Sequence, residues 1–434
     1  MQEGNDVRYS IAAPEAQTVG DGLIEKAASF TSSVQWSDIV IFDSNVEMLP
    51  DEAERVKFSR PTLGTGKLAQ KLEDDRLFGI KFAKEGGLEV PNVKEFKGPR
   101  AWQQAREFLS GRPKNEAWVW KPNGEAPVAT YVASDLDEMY RMMRYWKSLY
   151  DIGGEQPWFV LTPKIEGQEI STEAWFNGRE FFCHNQTLER NRFFDHDHGE
   201  KTGCCGNVVF LTGPDRLFET LLYPLTGQLA GKYIGPIDVN AIIEEESNIP
   251  VFLEFTPRFG YDAVFALMEL VEDFGSFLYA IATGQRPTVA PPKKDFAGAV
   301  RMHIPPYPEP PEGDDDTRAI GVPIFGWDPD KQSRHIHPIE VRLDIDGEPE
   351  TSGPDGYVMV ASDLGDTVED AMRAAYKQVE DVKIPNVRYR GDLVEAISEV
   401  YDKITATGWL EHSQVAAPIE IFGRGRTYSY GRHR

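Results

Sequence analysis

The stretch Val251-Phe252-Leu253-Glu254-Phe255-Thr256-Pro257-Arg258-Phe259-Gly260-Tyr261-Asp262 decides how the rest of the chain is read. Its first half is β-branched and aromatic, which favours a strand. Side chains alternate faces along a strand, so Glu254, Thr256 and Arg258 share one face. Leu253 and Phe255 point the other way, toward a core. A carboxylate, a hydroxyl and a guanidinium in a row are unusual on a strand this apolar.

The preceding residues extend the pattern. Tyr233 to Ile243 also reads as a strand, and Glu244 to Asn248 as a polar turn. A hairpin centred near Glu246 sets Asp238 almost opposite Glu254. Facing carboxylates repel unless a cation lies between them, and an oxygen-only site suits Mg²⁺, which is usually held by one or two carboxylates plus substrate phosphates. An edge hairpin with solvated acids is the other reading of the same residues.

The whole chain has 434 residues, 41% hydrophobic and 27% charged, the make-up of a globular protein of two or three domains. Lys+Arg number 46 against 70 Asp+Glu, a net charge of −24. That balance argues against a nucleic-acid or membrane-surface partner, which would repel the chain. Arg424, Arg426, Arg432 and Arg434 make a short basic run that reads as a tail. The three cysteines, Cys183, Cys204 and Cys205, make no disulfide framework, so a reducing cytoplasm is expected. No signal peptide and no bilayer-length apolar run is visible.

Outward from the hairpin, several elements are legible. Asp38 to Asp43 is a buried-type strand, and Phe58 to Gly66 is loop-like. Lys67 to Glu85 reads as one helix stopped by Gly86-Gly87. Trp118 to Lys121 is a strand entering a turn at Asn123-Gly124. Asp135 to Tyr150 is a helix with Ser134 as N-cap. Trp158 to Leu161 is a strand, and Ile170 to His184 a hairpin about Asn177-Gly178. Leu188 to Gly206 reads as a polar loop, and Phe218 to Ala230 and Phe265 to Ala282 as helices. Beyond a proline-rich linker at 284–292 the chain is strand-rich, with a flexible-looking segment from Pro305 to Asp316. Helices at Thr367 to Val379 and Leu393 to Thr405 close it. Asp195-His196-Asp197-His198 with the two later cysteines contains metal-ligand residue types, but the spacing fits no structural zinc site and a solvated loop is expected.

Taken in order, Lys71-Leu72-Glu73-Asp74-Asp75-Arg76-Leu77-Phe78, Lys164-Ile165-Glu166-Gly167-Gln168-Glu169-Ile170-Ser171, Lys201-Thr202-Gly203-Cys204-Cys205-Gly206 and Leu253 to Gly260 resemble the ATP-grasp ligases, and among them the phosphoribosylamine–glycine ligases of purine synthesis. Ser352 to Tyr376 and Arg388 to Asp392 resemble that family's C-terminal domain. The resemblance implies an α+β fold: an ATP-grasp core of two α+β lobes, a reduced N-terminal α/β segment and a C-terminal β-rich domain with helices. The expected bounds are 1–66 for the N-terminal segment, 67–290 for the core (small lobe about 115–165), 291–415 for the C-terminal domain and 416–434 for a tail.

The resemblance also implies a chemistry. ATP and Mg²⁺ (or Mn²⁺) phosphorylate a carboxylate, and an amine displaces phosphate to give an amide. It implies Asp238, Glu254 and Thr256 as metal ligands, with Thr256 standing where the family has Asn. Arg76 and Lys121 are implied for the phosphates, and Glu169 for the ribose. With Asp238 and Glu254 these make up the ATP site. Arg258 and Arg192 are implied for the acyl-phosphate and the substrate carboxylate. Glu189, Arg190, Asp195, Thr202 and Gly203 are implied as substrate-loop residues. The sequence departs from the family in having Arg76 for a lysine, Thr162-Pro163 near the adenine position, and only Asn123-Gly124-Glu125-Ala126-Pro127 where a long glycine-rich loop is usual. No glycine-rich strand–turn–helix precedes Asp38. Small-molecule partners, a cytoplasmic location and a monomer or small homo-oligomer are expected. Two other readings stay open: a ligase of this class with a different acid and amine, and a catalytically weak nucleotide-binding or scaffold protein.

Overall fold

The computed structural model describes residues 4–11, 13–45, 49–123, 130–154, 156–309, 317–332 and 334–410. The turn at Gly124, the acidic end of the Pro305–Asp316 segment and the C-terminal arginines lie outside the described residues. Helices and strands are mixed along the chain, an α+β arrangement.

An eight-stranded sheet forms the backbone of the large lobe. Its order is Pro250–Thr256, Gly235–Glu244, Gly167–Phe176, Phe181–Phe194, His198–Leu211, Phe296–His303, Tyr357–Gly365, Ile336–Pro338. The last three strands come from the C-terminal third and continue the same ladder. Period-2 alternation divides the faces. Ile170, Ala174, Phe176, Ile237, Val239 and Phe255 face one core. Trp175, Val209 and Leu211 face the other, beneath the helices Tyr261–Leu270 and Phe274–Ala282. Farther along the second face the row turns polar, with Glu169, Asp238, Asn240 and Glu254, and there the sheet is roofed by the small lobe.

The small lobe is a four-stranded sheet, Lys94–Lys97, Trp158–Pro163, Trp118–Pro122, Tyr131–Ala133, backed by helices Ala101–Leu109 and Leu136–Gly153. Its core is aromatic. Trp118, Trp120 and Phe159 are fully buried, and Trp120 stacks on Trp146 with centroids 4.5 Å apart. Burying one such ring contributes at least about 2–3 kcal/mol. This holds Trp118–Pro122 rigid and fixes where Lys121 emerges.

Before residue 67 the chain forms two short parallel pairs, Arg8–Tyr9 with Glu25–Lys26 and Val40–Phe42 with Thr62–Gly64. Ile41 is exposed, where a buried strand was expected. Phe58 to Gly66, expected as loop, contributes Thr62–Gly64. The first pair docks on the C-terminal third, where Gly20 N–H donates to Val341 O at 2.8 Å and Leu343 N–H to Asp21 O at 2.8 Å. The second docks on the large lobe through Gly64 N–H to Ile234 O at 3.0 Å.

Three expected helices are broken in two, and the breaks have local causes. Lys67–Asp74 and Arg76–Glu85 are separated by Asp75, whose carboxylate accepts from Phe78 N–H at 3.1 Å and so starts a new helix. Asp273 does the same for Phe274–Ala282, accepting from Ser276 N–H at 3.0 Å. Arg216–Leu221 ends before Pro224, which has no N–H to continue it, and Thr226–Leu229 follows. The N-cap of Leu136–Gly153 is Asp135 rather than Ser134. Ser134 instead donates its N–H to the Glu138 carboxylate at 2.7 Å. Leu188 to Gly206 is no loop. It is the outer half of a hairpin, Phe181–Phe194 with His198–Leu211, turning at Asp195–Asp197.

Candidate active site

The central hairpin forms, but with a different register. The turn is longer than expected: Glu244 N–H donates to Ile249 O at 3.0 Å, and Asn248 adopts φ 52°. Leu253 then bulges out of the ladder, so Asp238 pairs with Thr256 and Asn240 with Glu254. The offset from the expected Asp238–Glu254 pairing is two residues, which preserves the face. Asp238, Glu254 and Thr256 still look into one space. Leu253, expected in the core, lines that space instead, as bulged residues beside sites often do.

The space is a cleft of about 510 Å³ between the lobes. Val119, Lys121, Val132 and Thr162–Ile165 line it from the small lobe. Glu169, Glu189, Asn191, Lys201–Cys204, Asp238, Asn240, Ile242 and Leu253–Glu254 line it from the sheet. Thr256, Arg258 and the first turn of helix Tyr261–Leu270 close the end. One part of the wall is apolar, with Val119, Ile165, Ile242 and Leu253. The rest is densely charged. A helix N-terminus facing a polar cleft adds a partial positive charge there.

The electrostatics sort the charges. Glu254 is half open to the cleft and receives Arg76 Nη1 at 3.3 Å. Desolvation works to raise its pKa, but Arg76 and Lys121 together hold it below the usual value. Lys121 is lowered to about 8 by desolvation and by the neighbouring Arg76. Asp238 is only 8% exposed, and burial with the nearby Glu189 and Glu173 raises it well above the usual range. Its Oδ2 accepts from Ser171 Oγ at 2.9 Å and from Asn240 Nδ2 at 3.3 Å, while its Oδ1 is buried without a partner. Desolvation also raises Glu169, and pushes Glu189 up to about 8.

Arg258 is anchored. Its Nε donates to Glu73 Oε1 at 2.8 Å and its guanidinium lies 4.3 Å from the Tyr261 ring centre. Burial opposes its charge, but Glu73, with Tyr261 and Asp238 adding to it, raises its pKa further. The other Glu73 oxygen accepts from Asn45 Nδ2 at 2.7 Å, and Asn45 Oδ1 accepts from Thr65 Oγ1.

The expected substrate residues divide. Glu189, Thr202 and Gly203 line the cleft. Arg190, Arg192 and Asp195 are absent from its lining. Arg190 donates to Ala396 O and pairs with Asp197, while Arg192 Nη1 donates to Gly199 O at 2.7 Å within its own hairpin. Asp195 accepts from Gly391 N–H at 2.8 Å. They follow the hairpin's outer half toward the C-terminal helix. Cys204 and Cys205 are buried, His196 and His198 are exposed, and among the described residues no cluster of three or more metal-ligand side chains is found. Sequence reasoning missed Asn240, Glu73, Asn45 and Lys201. Asn240 was legible as the second member of Asp238-x-Asn240 on one strand face. Glu73 and Asn45 carry no local signal for the contact they make.

Two carboxylates, Asp238 and Glu254, with an orphaned oxygen on Asp238, fit a divalent cation that takes its remaining ligands from phosphates and water. Asn240 adds an amide beside Asp238 and Thr256, donating to Thr256 Oγ1 at 3.4 Å.

No family model matches the chain. The chloroplastic phosphoribosylamine–glycine ligase of Arabidopsis thaliana is 24% identical over 351 residues, spanning 78% of this chain and 64% of that protein. The crystal structure of phosphoribosylamine–glycine ligase from Thermotoga maritima superposes with a TM-score of 0.63 at 22% identity, over 85% of this chain and 89% of that one. The biotin carboxylase domain of the Hydrogenobacter thermophilus 2-oxoglutarate carboxylase, solved with MgADP, ADP and bicarbonate, gives a TM-score of 0.56 at 13% identity, over 87% and 81%. The chain has the ATP-grasp fold. Its cleft lies between the two ATP-grasp lobes, bounded by the small-lobe sheet above and the polar half of the large sheet below. Among the described residues no helix is long and apolar enough to cross a membrane.

Proposed function

We propose that the chain is an ATP- and Mg²⁺-dependent carboxylate–amine ligase of the phosphoribosylamine–glycine ligase kind. The observation that carries this is the distribution of charge at the interlobe cleft: Lys121 and Glu254 in its lining, Arg76 outside that lining but bonded to Glu254, an orphaned Asp238 oxygen, and Arg258 at the far wall. Lys121 and Arg76 hold the phosphates, and Glu169 accepts from the ribose hydroxyls. Asp238 and Glu254 hold the metal, with Thr256 and Asn240 beside them. A bound Mg²⁺ neutralises phosphate charge. Arg258, kept in place by Glu73, meets the charge that develops on the acyl-phosphate. The amine nitrogen then attacks the acyl carbon, and phosphate leaves. Arg192 joins the site only if the hairpin end bends inward. Small-molecule substrates and a cytoplasmic location belong to this reading.

The test follows oxygen. With the acid labelled in its carboxylate by ¹⁸O, one label per turnover appears in inorganic phosphate if an acyl-phosphate forms. ATP hydrolysis that leaves the label in the acid refutes the reading. A second acid–amine pair on the same chemistry is favoured by the N-terminal segment, whose two-residue and three-residue parallel pairs offer little surface for a nucleotide-like substrate.

A further inference from the structure

Away from the cleft, the C-terminal third carries a second hollow of about 450 Å³ that the ligase reading does not use. Val379, Val382 and Ile384 form its buried floor. Phe325 and Tyr389 stand around it, 56% and 42% exposed. A single exposed apolar side chain is ordinary. Two aromatic rings around one apolar hollow, with Glu380 and Lys383 at the rim, mark an interaction surface. The backbone beneath both rings is fixed. Phe325 and Lys383 exchange two hydrogen bonds, each at 2.9 Å, and a Cβ on Gly326 would strike Asp381 O. Arg388, beside Tyr389, exchanges two with His303, at 2.7 and 3.0 Å. The hollow is therefore pre-formed, which lowers the cost of filling it.

Three stretches longer than three residues lie outside the described ones: 124–129, 310–316 and 411–434. The first continues the strand of Lys121 in the small lobe. The second, Pro310 to Asp316, holds a glutamate, three aspartates and no apolar side chain bulkier than proline. The third contains Pro418-Ile419-Glu420-Ile421-Phe422, followed by Arg424. Along an extended backbone Ile419 and Ile421 share one face, a match for an apolar floor. Glu420 and Arg424 are opposite in sign to Lys383 and Glu380 at the rim.

Reach is sufficient. The described chain ends at Leu410, just after Trp409, whose Nε1 donates to Asn248 O at 3.1 Å and whose ring centre lies 4.0 Å from the Arg216 guanidinium. Helix Leu393–Ala406 leads there from the side of the hollow. Leu393 N–H donates to Tyr376 Oη at 3.2 Å, and the Tyr376 ring lies 6.2 Å from that of Tyr389. The helix has 14 residues, a length of about 21 Å. Ile419 is nine residues past Leu410, a reach of up to about 30 Å.

We propose that the hollow beside Phe325 and Tyr389 is the docking groove for this chain's own segment Pro418–Phe422. Ile419 and Ile421 enter between the two rings, over Val382 and Ile384. The segment straps the end of the chain to the helices Val368–Glu380 and Leu393–Ala406. Tethering makes the encounter intramolecular, at an effective concentration on the order of millimolar, so a modest groove suffices. The proposal stands apart from the ligase reading.

The test is disulfide trapping in the full chain. The native cysteines are all buried, so an introduced exposed pair oxidises selectively. Phe422→Cys is combined with Tyr389→Cys, and separately with Ile249→Cys. Ile249 is 45% exposed and adjoins the Asn248 that anchors Trp409, so an undirected tail meets it at least as often. The expected result is a bond within one chain that forms at least about tenfold faster with Tyr389→Cys than with Ile249→Cys. Adding Phe325→Ser, or Ile419→Ser with Ile421→Ser, removes that advantage. Circular dichroism and ATP affinity, measured on the same proteins, stay unchanged. Equal rates for the two pairs overturn the proposal, as does an advantage that survives the Ile419→Ser, Ile421→Ser change. Bonds found only between two chains overturn it too, and assign the groove to a second copy's segment.

Discussion

Arg258 and Glu73 lie 185 residues apart in sequence and meet at 2.8 Å, with the Glu73 side chain held from behind by Asn45. The N-terminal segment therefore reaches the cleft indirectly, by holding the acid that holds the arginine. Substituting Glu73→Gln frees Arg258 without removing it. The expected result is a fall in kcat of at least about tenfold, with little change in ATP affinity. Arg258→Ala costs more, about 10²–10³ in kcat, the usual loss on deleting an electrostatic stabiliser. Steady-state kinetics on the two variants, with circular dichroism for folding, checks the order of the two effects.

Glu254 sits between Arg76 and Lys121, so its charge serves both the metal and the cations. Glu254→Gln is expected to abolish Mg²⁺-dependent nucleotide binding. Unchanged Mg²⁺ dependence in that variant removes the metal assignment.

Trp120 is fully buried and stacked on Trp146, one residue before Lys121. Trp120→Ala should cost about 3–5 kcal/mol of stability, the usual penalty for emptying an aromatic site. Trp120→Phe should cost less, because the indole N–H is itself buried without a partner. Urea unfolding of the two variants separates the outcomes.

Much of this frame was legible in the chain. The alternation Glu169, Ser171, Glu173 against Ile170, Thr172, Ala174 marks a strand with one polar face, and Asp238-x-Asn240 repeats it next door. The register was not legible, because it depends on the longer turn and on the bulge at Leu253, neither of which has a fixed residue signature. Aspartates at 75 and 273 were in view but were read as helix interior, although Asp favours an N-cap. The outer hairpin reads as loop in the sequence because its turn end, residues 198–201, is exposed on both faces, which erases the period-2 signal there. Contacts such as Asn45 to Glu73 join distant segments and have no local pattern at all.

His335 gives a pH-dependent stability term. Its Nδ1 meets the fully buried Glu269 carboxylate at 2.7 Å, and that bond raises its pKa above the ordinary 6.5 despite some desolvation. A histidine raised on folding stabilises fully below its unfolded pKa, and the contribution is lost as pH climbs through the raised value. The wild type should therefore lose more stability between about pH 6 and pH 8 than His335→Gln does. Thermal unfolding across that window is the check, and parallel curves for the two proteins contradict the assignment.

The most direct test of the central claim is ADP release by the purified wild type in MgATP across a panel of carboxylic acids and amines. The account predicts release that requires Mg²⁺, one acid and one amine together, and that stops when any one is omitted. No ATP binding at millimolar concentration, or ADP release indifferent to acid and amine, would contradict it.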